Sequence, residues 1–167
     1  MKIGFIGFGE VGYEQSMGFQ KEGIEKIIAY DPMQNDAVYG ATIKEKAQNS
    51  KTMLANTPQE VFEEAEIVFA AVPGKVALKV AQDSAPYFRK KTLYVDVSAS
   101  APETKRKISE VIEAKGASYV DGAMMGSLPL FKHQVPTLIS GDGSDRLLKE
   151  LTPYHVDMEK ISDIPGD

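Results

Sequence analysis

The sequence contains no cysteine among its 167 residues. Without thiols the chain cannot form a disulfide framework or a zinc site with thiolate ligands. No other cluster of metal-ligating residues stands out, so we expect no bound metal. The lack of cysteine does not by itself fix the cellular compartment.

An excess of positive charge is also lacking. The chain has 19 lysine and arginine residues against 24 aspartate and glutamate residues, which gives a formal net charge of −5. Nucleic acids and anionic membranes bind basic surfaces, so we expect neither as a partner. No apolar run approaches the roughly 20 residues of a membrane-spanning helix, and the first residues do not form a secretory signal. These absences predict a cytoplasmic protein, and the length suits one domain over residues 1–167.

What is present is a glycine motif near the amino terminus. The short apolar run Ile3 to Ile6 has room only for a buried strand, and it breaks into Gly7-x-Gly9-x-x-Gly12. An amphipathic segment over residues 10–22 follows. This order of strand, tight turn and helix is typical of a dinucleotide-binding βαβ unit. A glycine turn in a plain βαβ unit is the alternative.

Each glycine of the motif has a physical reason. Gly7 lets the chain turn sharply off the strand, Gly9 lets a pyrophosphate approach the backbone, and Gly12 lets the helix pack close to the strand. The free N–H groups at the start of the helix then favour a phosphate. The predicted pyrophosphate-binding residues are Gly7, Phe8, Gly9, Glu10, Val11 and Gly12.

An acidic residue follows the second apolar run. The run Lys26 to Tyr30 ends at Asp31, nineteen residues after Gly12, where dinucleotide folds place the acid that binds the adenosine ribose. A carboxylate there repels the additional phosphate of NADP, and neither Pro32 nor Met33 supplies a guanidinium to neutralise it. We therefore predict NAD rather than NADP as cofactor. A turn aspartate ahead of proline is the alternative.

Strand and helix patterns alternate from Met1 to Asp121, which predicts an α/β fold of the Rossmann type. Its doubly wound, mostly parallel sheet gains extra strands of mixed orientation at the carboxyl-terminal end. Helices are predicted at 10–22, 36–48, 75–88 and 144–151, and two more begin at the capping sequences Thr57-Pro-Gln-Glu60 and Ser100-Ala-Pro-Glu103. Strands are predicted at 3–6, 26–30, 52–55, 67–72, 93–97, 118–121, 137–140 and 154–161.

Ligands of such sheets bind at the carboxyl ends of the strands, near the point where strand order reverses. The buried run 67–72 ends at Pro73-Gly74. We therefore predict that Val72 and Pro73 line the nicotinamide half of the cofactor. A plain strand-ending turn is the alternative.

Five motifs together resemble the beta-hydroxyacid dehydrogenases, the group that includes 3-hydroxyisobutyrate and 6-phosphogluconate dehydrogenases. The resemblance covers essentially the whole chain and implies hydride transfer between a 3-hydroxy acid and a nicotinamide cofactor. It also implies that Ser98, Gly126 and Ser127 face the substrate. The motifs are the glycine segment 4–12, Ala71-Val-Pro-Gly74, Asp96-Val-Ser98, Asp121-Gly-Ala-Met-Met-Gly-Ser127 and Leu138-Ile-Ser-Gly141.

The same resemblance implies that the catalytic residue lies outside this chain. In these dehydrogenases a lysine of a following helical domain acts as general acid and base, and no lysine here stands at the matching place. The segment Ile164-Pro-Gly166 resembles the one that precedes that lysine's helix. We therefore expect the lysine beyond Asp167, a homodimer for the full-length protein, and NADH binding without turnover by residues 1–167. A stand-alone dinucleotide sensor is the alternative, and an imine-reducing relative is disfavoured by the later motifs.

Two residues depart from the family pattern. Ala99 stands where threonine or asparagine is usual, and Met125 stands where serine is usual. A thioether cannot donate a hydrogen bond to a substrate carboxylate, so 3-hydroxyisobutyrate itself is not the expected substrate. Core packing is the alternative for Met125, a helix cap for Ser98, and a turn for Gly126 and Ser127.

Other candidate groups are better explained without chemistry. His133 has no partner acid at a telling spacing, so a structural histidine is favoured over proton transfer. Asp96 and Asp121 both end strands, but neither a metal cluster nor a nucleophile supports a site built on paired carboxylates.

Overall fold

Eight strands form a single sheet in the computed structural model, which describes residues 1–167. Their order is β3-β2-β1-β4-β5-β6-β7-β8, and the first six of these are parallel. β7 is antiparallel to β6 and parallel to β8. The predicted Rossmann-type sheet with closing strands of mixed orientation is therefore confirmed. The strands are β1 (Lys2–Ile6), β2 (Lys26–Tyr30), β3 (Met53–Leu54), β4 (Ile67–Ala70), β5 (Leu93–Asp96), β6 (Ser118–Met124), β7 (Thr137–Ser140) and β8 (Met158–Ser162).

Seven α-helices connect and cover the strands. None of them is long and apolar enough to span a bilayer. They are α1 (Glu10–Lys21), α2 (Gly40–Asn49), α3 (Pro58–Glu64), α4 (Gly74–Ser84), α5 (Pro102–Glu113), α6 (Leu128–Phe131) and α7 (Ser144–Leu151). Short 3-10 helices span Ala85–Tyr87, Lys132–Gln134 and Thr152–Tyr154.

The sheet is buried on both faces, as expected for parallel strands between two helical layers. One core cluster of 18 residues includes Phe5 and Phe69, whose rings stack with centroids 5.4 Å apart. A second cluster of 15 residues, on the other face, includes Phe62 and Tyr94. Every side chain of β4 and β5 is buried, so these central strands anchor the fold.

Two helix starts differ from the prediction because side chains bind other groups. α5 is capped by Ala101 without a side-chain bond, and the Ser100 hydroxyl lies 2.8 Å from the Ser98 hydroxyl. α2 begins at Gly40 instead of residue 36, because Asp36 accepts the backbone N–H of Tyr39 and closes a turn first. The predicted threonine cap of α3 is confirmed, with Thr57 Oγ1 accepting from the backbone of Glu60.

The last strand also begins later than predicted, at Met158 instead of Tyr154. A 3-10 helix occupies Thr152–Tyr154, and His155 has a φ of +62°, which a continuous strand does not allow. The chain therefore reverses before β8 forms.

His133 is a structural histidine, as predicted. Its side chain is 5% exposed and its Nε2 lies 2.9 Å from the carbonyl oxygen of Tyr154. The ring contacts Phe19, and Nε2 is 3.5 Å from a carboxylate oxygen of Glu22, which also binds His155. Burial lowers the pKa of His133 below its usual value, although the carbonyl and the carboxylate act in the opposite direction.

We expect the free energy of unfolding to fall as the pH is lowered through about 6.5. The unfolded chain takes up a proton at His133 there, whereas the folded chain does not, because the pKa of the folded state is depressed. The slope contributed by one group cannot exceed about 1.4 kcal/mol per pH unit. Urea denaturation between about pH 8 and 5.5 measures it. H133Q should remove this slope and H155Q should keep it, so parallel profiles for the wild type and H133Q would contradict the assignment.

Candidate functional site

A crevice of about 610 Å³ opens at the carboxyl ends of β1, β2 and β4. Strand order reverses between β1 and β4, so this is the place where doubly wound sheets bind ligands. The wall is largely apolar, and the acidic residues Asp31 and Asp83 also line it. Its apolar residues include Met33, Pro58, Val72, Val76, Val80 and Tyr87.

Gly7 fixes the turn that leaves β1. Its φ is +86°, and a Cβ atom there would lie 2.4 Å from the carbonyl oxygen of Ala71. Its N–H donates to the carbonyl oxygen of Tyr30 at 2.8 Å. The glycine therefore serves the turn and also lets the loop after β4 approach the loop after β1.

Helix α1 begins with free amides directly after Gly9, which lines the crevice. Its first intrahelical bond runs from the N–H of Tyr13 to the carbonyl of Gly9, so the amides of Glu10, Val11 and Gly12 have no intrahelical acceptor. A Cβ atom on Gly9 would meet nothing within 4 Å, so this side of the loop is open. Free amides at the positive end of a helix dipole suit an anion such as a phosphate.

Gly12 serves packing, as predicted. A Cβ atom there would lie 2.9 Å from the ring of Phe8 and 3.1 Å from the carbonyl oxygen of Gly7. Phe8 itself is fully buried. The start of α1 can therefore rest directly on the turn that follows β1.

The carboxylate of Asp31 is held by two backbone amides. One oxygen accepts the N–H of Phe8 and the other accepts the N–H of Met33, both at 2.8 Å. The Phe8 amide, predicted to bind pyrophosphate, thus points to Asp31. The remaining lone pairs of the partly exposed carboxylate are available to hydroxyl groups of a ligand.

The motifs and this crevice agree with a comparison to known families. The sequence model of the NAD binding domain of 6-phosphogluconate dehydrogenase matches residues 2–155. This chain belongs to that family of NAD-binding domains. The match confirms the family that the sequence motifs predicted, and with it a nicotinamide dinucleotide as the cofactor.

Individual relatives are longer than this chain. Over 100% of its length the chain is 31% identical to an uncharacterized 28.5 kDa protein of Methanothermus fervidus and covers 61% of it. It is 26% identical to 2-(hydroxymethyl)glutarate dehydrogenase of Eubacterium barkeri, over 92% of this chain and 49% of that enzyme. A conserved hypothetical protein of Sinorhizobium meliloti gives a TM-score of 0.92 at 25% identity, over 99% of this chain and 55% of that one. The chain thus spans about half to three-fifths of these relatives.

In this NAD-binding domain, Val72 and Pro73 line the crevice together with α4. The buried residues of α4 are Ala77, Ala81 and Ser84, and Leu78 and Val80 are partly buried against the core. Val76 is 37% exposed and, like Val80, borders the crevice. Val76 and Val80 therefore form the apolar surface of α4 along the crevice, where a flat ring can pack on them.

Lys46 is a charged residue near this site that sequence reasoning missed. It lines a second depression of about 390 Å³, which shares Gly9, Asp31 and Met33 with the crevice. Its ammonium nitrogen lies 5.6 Å from the centroid of the Tyr13 ring. A search confined to the residues directly after Asp31 could not find it, because helix α2 brings this cation back from fifteen positions further along the chain.

Ser98 lies in a separate cavity of about 370 Å³ beyond the end of β5. It is 5% exposed, and it bonds to Ser100 instead of capping α5. Gly122 and Met124 also line this cavity. The motif Asp96-Val-Ser98 and the start of the motif that runs from Asp121 to Ser127 are therefore brought together.

Gly126 and Ser127 do not line that cavity. Ser127 is the residue before α6, and a Cβ atom on Gly126 would lie 3.1 Å from Pro136. Met125 is 57% exposed, so the interpretation of this methionine as core packing is wrong. In this chain Met124 lines the cavity, and the residues from Met125 to Ser127 are exposed at the surface.

Lys105 is a second residue that sequence reasoning missed. It lies on the buried face of α5 with Ile108 and Ile112, and its Nζ lies within 3.3 Å of carboxylate oxygens of both Asp96 and Asp121. A lysine at an otherwise apolar helical position, after a strand that ends in aspartate, was the available signal. The pair of carboxylates is thus a buried ionic cluster, which agrees with the rejection of a hydrolytic site.

We expect G7A to destabilise the domain by at least about 2 kcal/mol, since it adds a steric clash to the strain of a positive φ. G23A is the matched control, because Gly23 has a φ of +84° and open space around the added Cβ atom. G23A should lower the free energy of unfolding only through the strain of the positive φ, by about 1–2 kcal/mol. Equal losses for the two variants in urea denaturation would mean that the contact with Ala71 does not constrain the turn.

Proposed function

We propose that this domain binds NAD across the crevice, with the diphosphate at the start of α1. The free amides of Glu10, Val11 and Gly12, beside the open face of Gly9, carry this proposal. The adenosine ribose would bind the carboxylate of Asp31. The adenine would pack on the apolar wall formed by Met33, Val76 and Val80, and the nicotinamide half would follow Val72 and Pro73.

We propose NAD rather than NADP because Asp31 is fixed where the ribose hydroxyls would lie. Two amide donors hold its carboxylate, so it cannot swing away from an added phosphate without losing both hydrogen bonds. Lys46 reduces this repulsion but does not cancel it, since its ammonium group lies over the ring of Tyr13 on α1.

NADH should bind at least ten-fold more tightly than NADPH, a difference of about 1.4 kcal/mol. D31N should reduce this preference for NADH, and K46M should weaken the binding of NADPH more than the binding of NADH. K44M is the matched control, because Lys44 is exposed on the same helix and does not line the depression. Titrations followed by coenzyme fluorescence or calorimetry measure the constants, and tighter binding of NADPH by the wild type would overturn the assignment.

A second substitution separates binding from folding. G9A places a methyl group where the diphosphate would approach, and that methyl group would meet no protein atom within 4 Å. The backbone at Gly9, with φ −93° and ψ −144°, lies outside the main regions that alanine favours, so the free energy of unfolding should fall by about 1–3 kcal/mol. We expect at least a ten-fold loss of NADH affinity in the folded variant. G23A should leave NADH affinity unchanged. Unaltered NADH binding by a folded G9A domain would exclude the proposed diphosphate site.

For the longer protein we propose oxidation of a 3-hydroxy acid, as in the dehydrogenases that the sequence resembles. A relative over 92% of this chain is named 2-(hydroxymethyl)glutarate dehydrogenase, which supports a hydroxy acid as substrate. Ser98, Gly126 and Ser127 would lie on the substrate side. The acid/base lysine would belong to a helical domain beyond Asp167, and two copies would form a homodimer. Residues 1–167 alone would bind NADH without turnover.

A further inference from the structure

Two aspartates stand side by side at the substrate side of the sheet. Asp96 ends β5 and is paired in register with Asp121 on β6. The side chain of Asp96 is fully buried and that of Asp121 is 13% exposed. Like charges at directly opposed positions of neighbouring strands destabilise a sheet, and burial increases the cost. This arrangement requires a positive charge between the two carboxylates.

Lys105 supplies that charge from α5. Its side chain is 5% exposed, and Nζ lies 2.9 Å from Oδ1 of Asp121 and 3.3 Å from Oδ2 of Asp96. It also donates to the backbone carbonyl of Asp96 at 3.2 Å. Two carboxylate oxygens and one carbonyl oxygen thus lie within 3.3 Å of the ammonium nitrogen, which places Lys105 at the centre of the cluster.

The two carboxylates, held by Lys105, also bind backbone amides of two further segments. Oδ1 of Asp96 accepts the backbone N–H of Ser98 at 2.9 Å, and Oδ2 of Asp121 accepts the backbone N–H of Gly166 at 3.0 Å. Both segments line the 370 Å³ cavity, and so does Lys105. One ammonium group thus links the loop after β5, the strand β6 and the segment at Gly166.

A buried hydroxyl completes the cluster. Tyr119 donates to Oδ2 of Asp96 at 3.0 Å. Burial, together with the nearby carboxylate of Asp96, raises the pKa of this hydroxyl, so it stays a donor. Asp96 therefore has a donor on each carboxylate oxygen in addition to the ammonium group, which keeps its side chain in one orientation.

We propose that Lys105 is a positioning residue that holds Ser98 and the Gly166 segment in place around the substrate cavity. This proposal depends on the proposed function for the role of Ser98 on the substrate side. Without the ammonium group the carboxylates repel each other, so they move apart or one of them takes up a proton. In either case Ser98 and Gly166 lose acceptors of fixed position.

The test compares K105M with K107M, K105R and the wild type. Lys107 lies two positions further on α5 and is exposed, so K107M removes a charge from the same helix without touching the cluster. Amide hydrogen exchange followed by NMR is measured at Ser98 and Gly166, and at Phe5 of β1 as a reference. We expect K105M to speed exchange at Ser98 and Gly166 at least ten-fold relative to Phe5. K105R should recover most of this change, and K107M should show none.

A uniform change in exchange would contradict the proposal. If exchange in K105M rises by the same factor at Phe5 as at Ser98 and Gly166, Lys105 contributes to stability alone and the proposal is wrong. Should K105M not fold, D121N provides the second variant, because the amide keeps the shape of the carboxylate and Lys105 keeps its contact with Asp96. D121N should speed exchange at Gly166 at least ten-fold and leave Ser98 within two-fold, and no change at Gly166 would overturn the link.

Coenzyme binding separates this inference from the proposed function. NADH affinity of K105M should stay within two-fold of the wild type, because the cluster lies outside the crevice. A wild type that does not bind NADH would contradict the cofactor assignment but leave the exchange result to decide on Lys105. A K105M variant that loses NADH binding and local exchange protection together would show that Lys105 acts on the whole sheet, which would overturn its role as a local positioning residue.

Discussion

The contact between the turn after β1 and the loop after β4 is the constraint on which the site depends. Gly7 packs so closely on the carbonyl of Ala71 that no side chain fits between them. This contact sets the distance between the start of α1 and the residues Val72 and Pro73. A diphosphate at the helix and a ring along the opposite wall can belong to one ligand only if that distance is fixed. The geometry of the turn therefore sets the shape of the crevice as well as the fold.

The crevice also explains where apolar side chains remain exposed. Helix α4 packs its small residues, Ala77 and Ala81, against the sheet and leaves Val76 and Val80 toward the ligand side. Small residues allow the helix to lie close to the strands, since little volume separates them. The larger valines then form a surface on which a planar base can bury its faces. The same helix thus packs one stripe on the core and lines the crevice with another.

The sequence predicted the parts of the site that depend on local spacing. The glycine turn, the helix that follows it and Asp31 form one contiguous βαβ unit, so their relative positions follow from strand and helix geometry. Lys46 and Lys105 were missed because each reaches its partners through tertiary packing. The prediction that Ser100 caps α5 was wrong for a similar reason. Its hydroxyl bonds to Ser98, a contact that depends on how the loop folds back after β5.

Three aspartates of this domain make the same kind of contact with different outcomes. Asp31 follows β2, Asp96 ends β5 and Asp121 lies within β6, and each accepts a backbone N–H from a neighbouring loop or segment. At the last two, a buried ammonium group and further donors occupy the oxygens, so these carboxylates are committed to structure. Asp31 has no cation within ion-pair distance and is partly exposed, so its free lone pairs face the crevice. Because a ribose offers hydroxyl donors and no charge, an anchored but unneutralised carboxylate is the acceptor it requires. The absence of a neutralising partner is therefore what distinguishes Asp31 from the two structural aspartates.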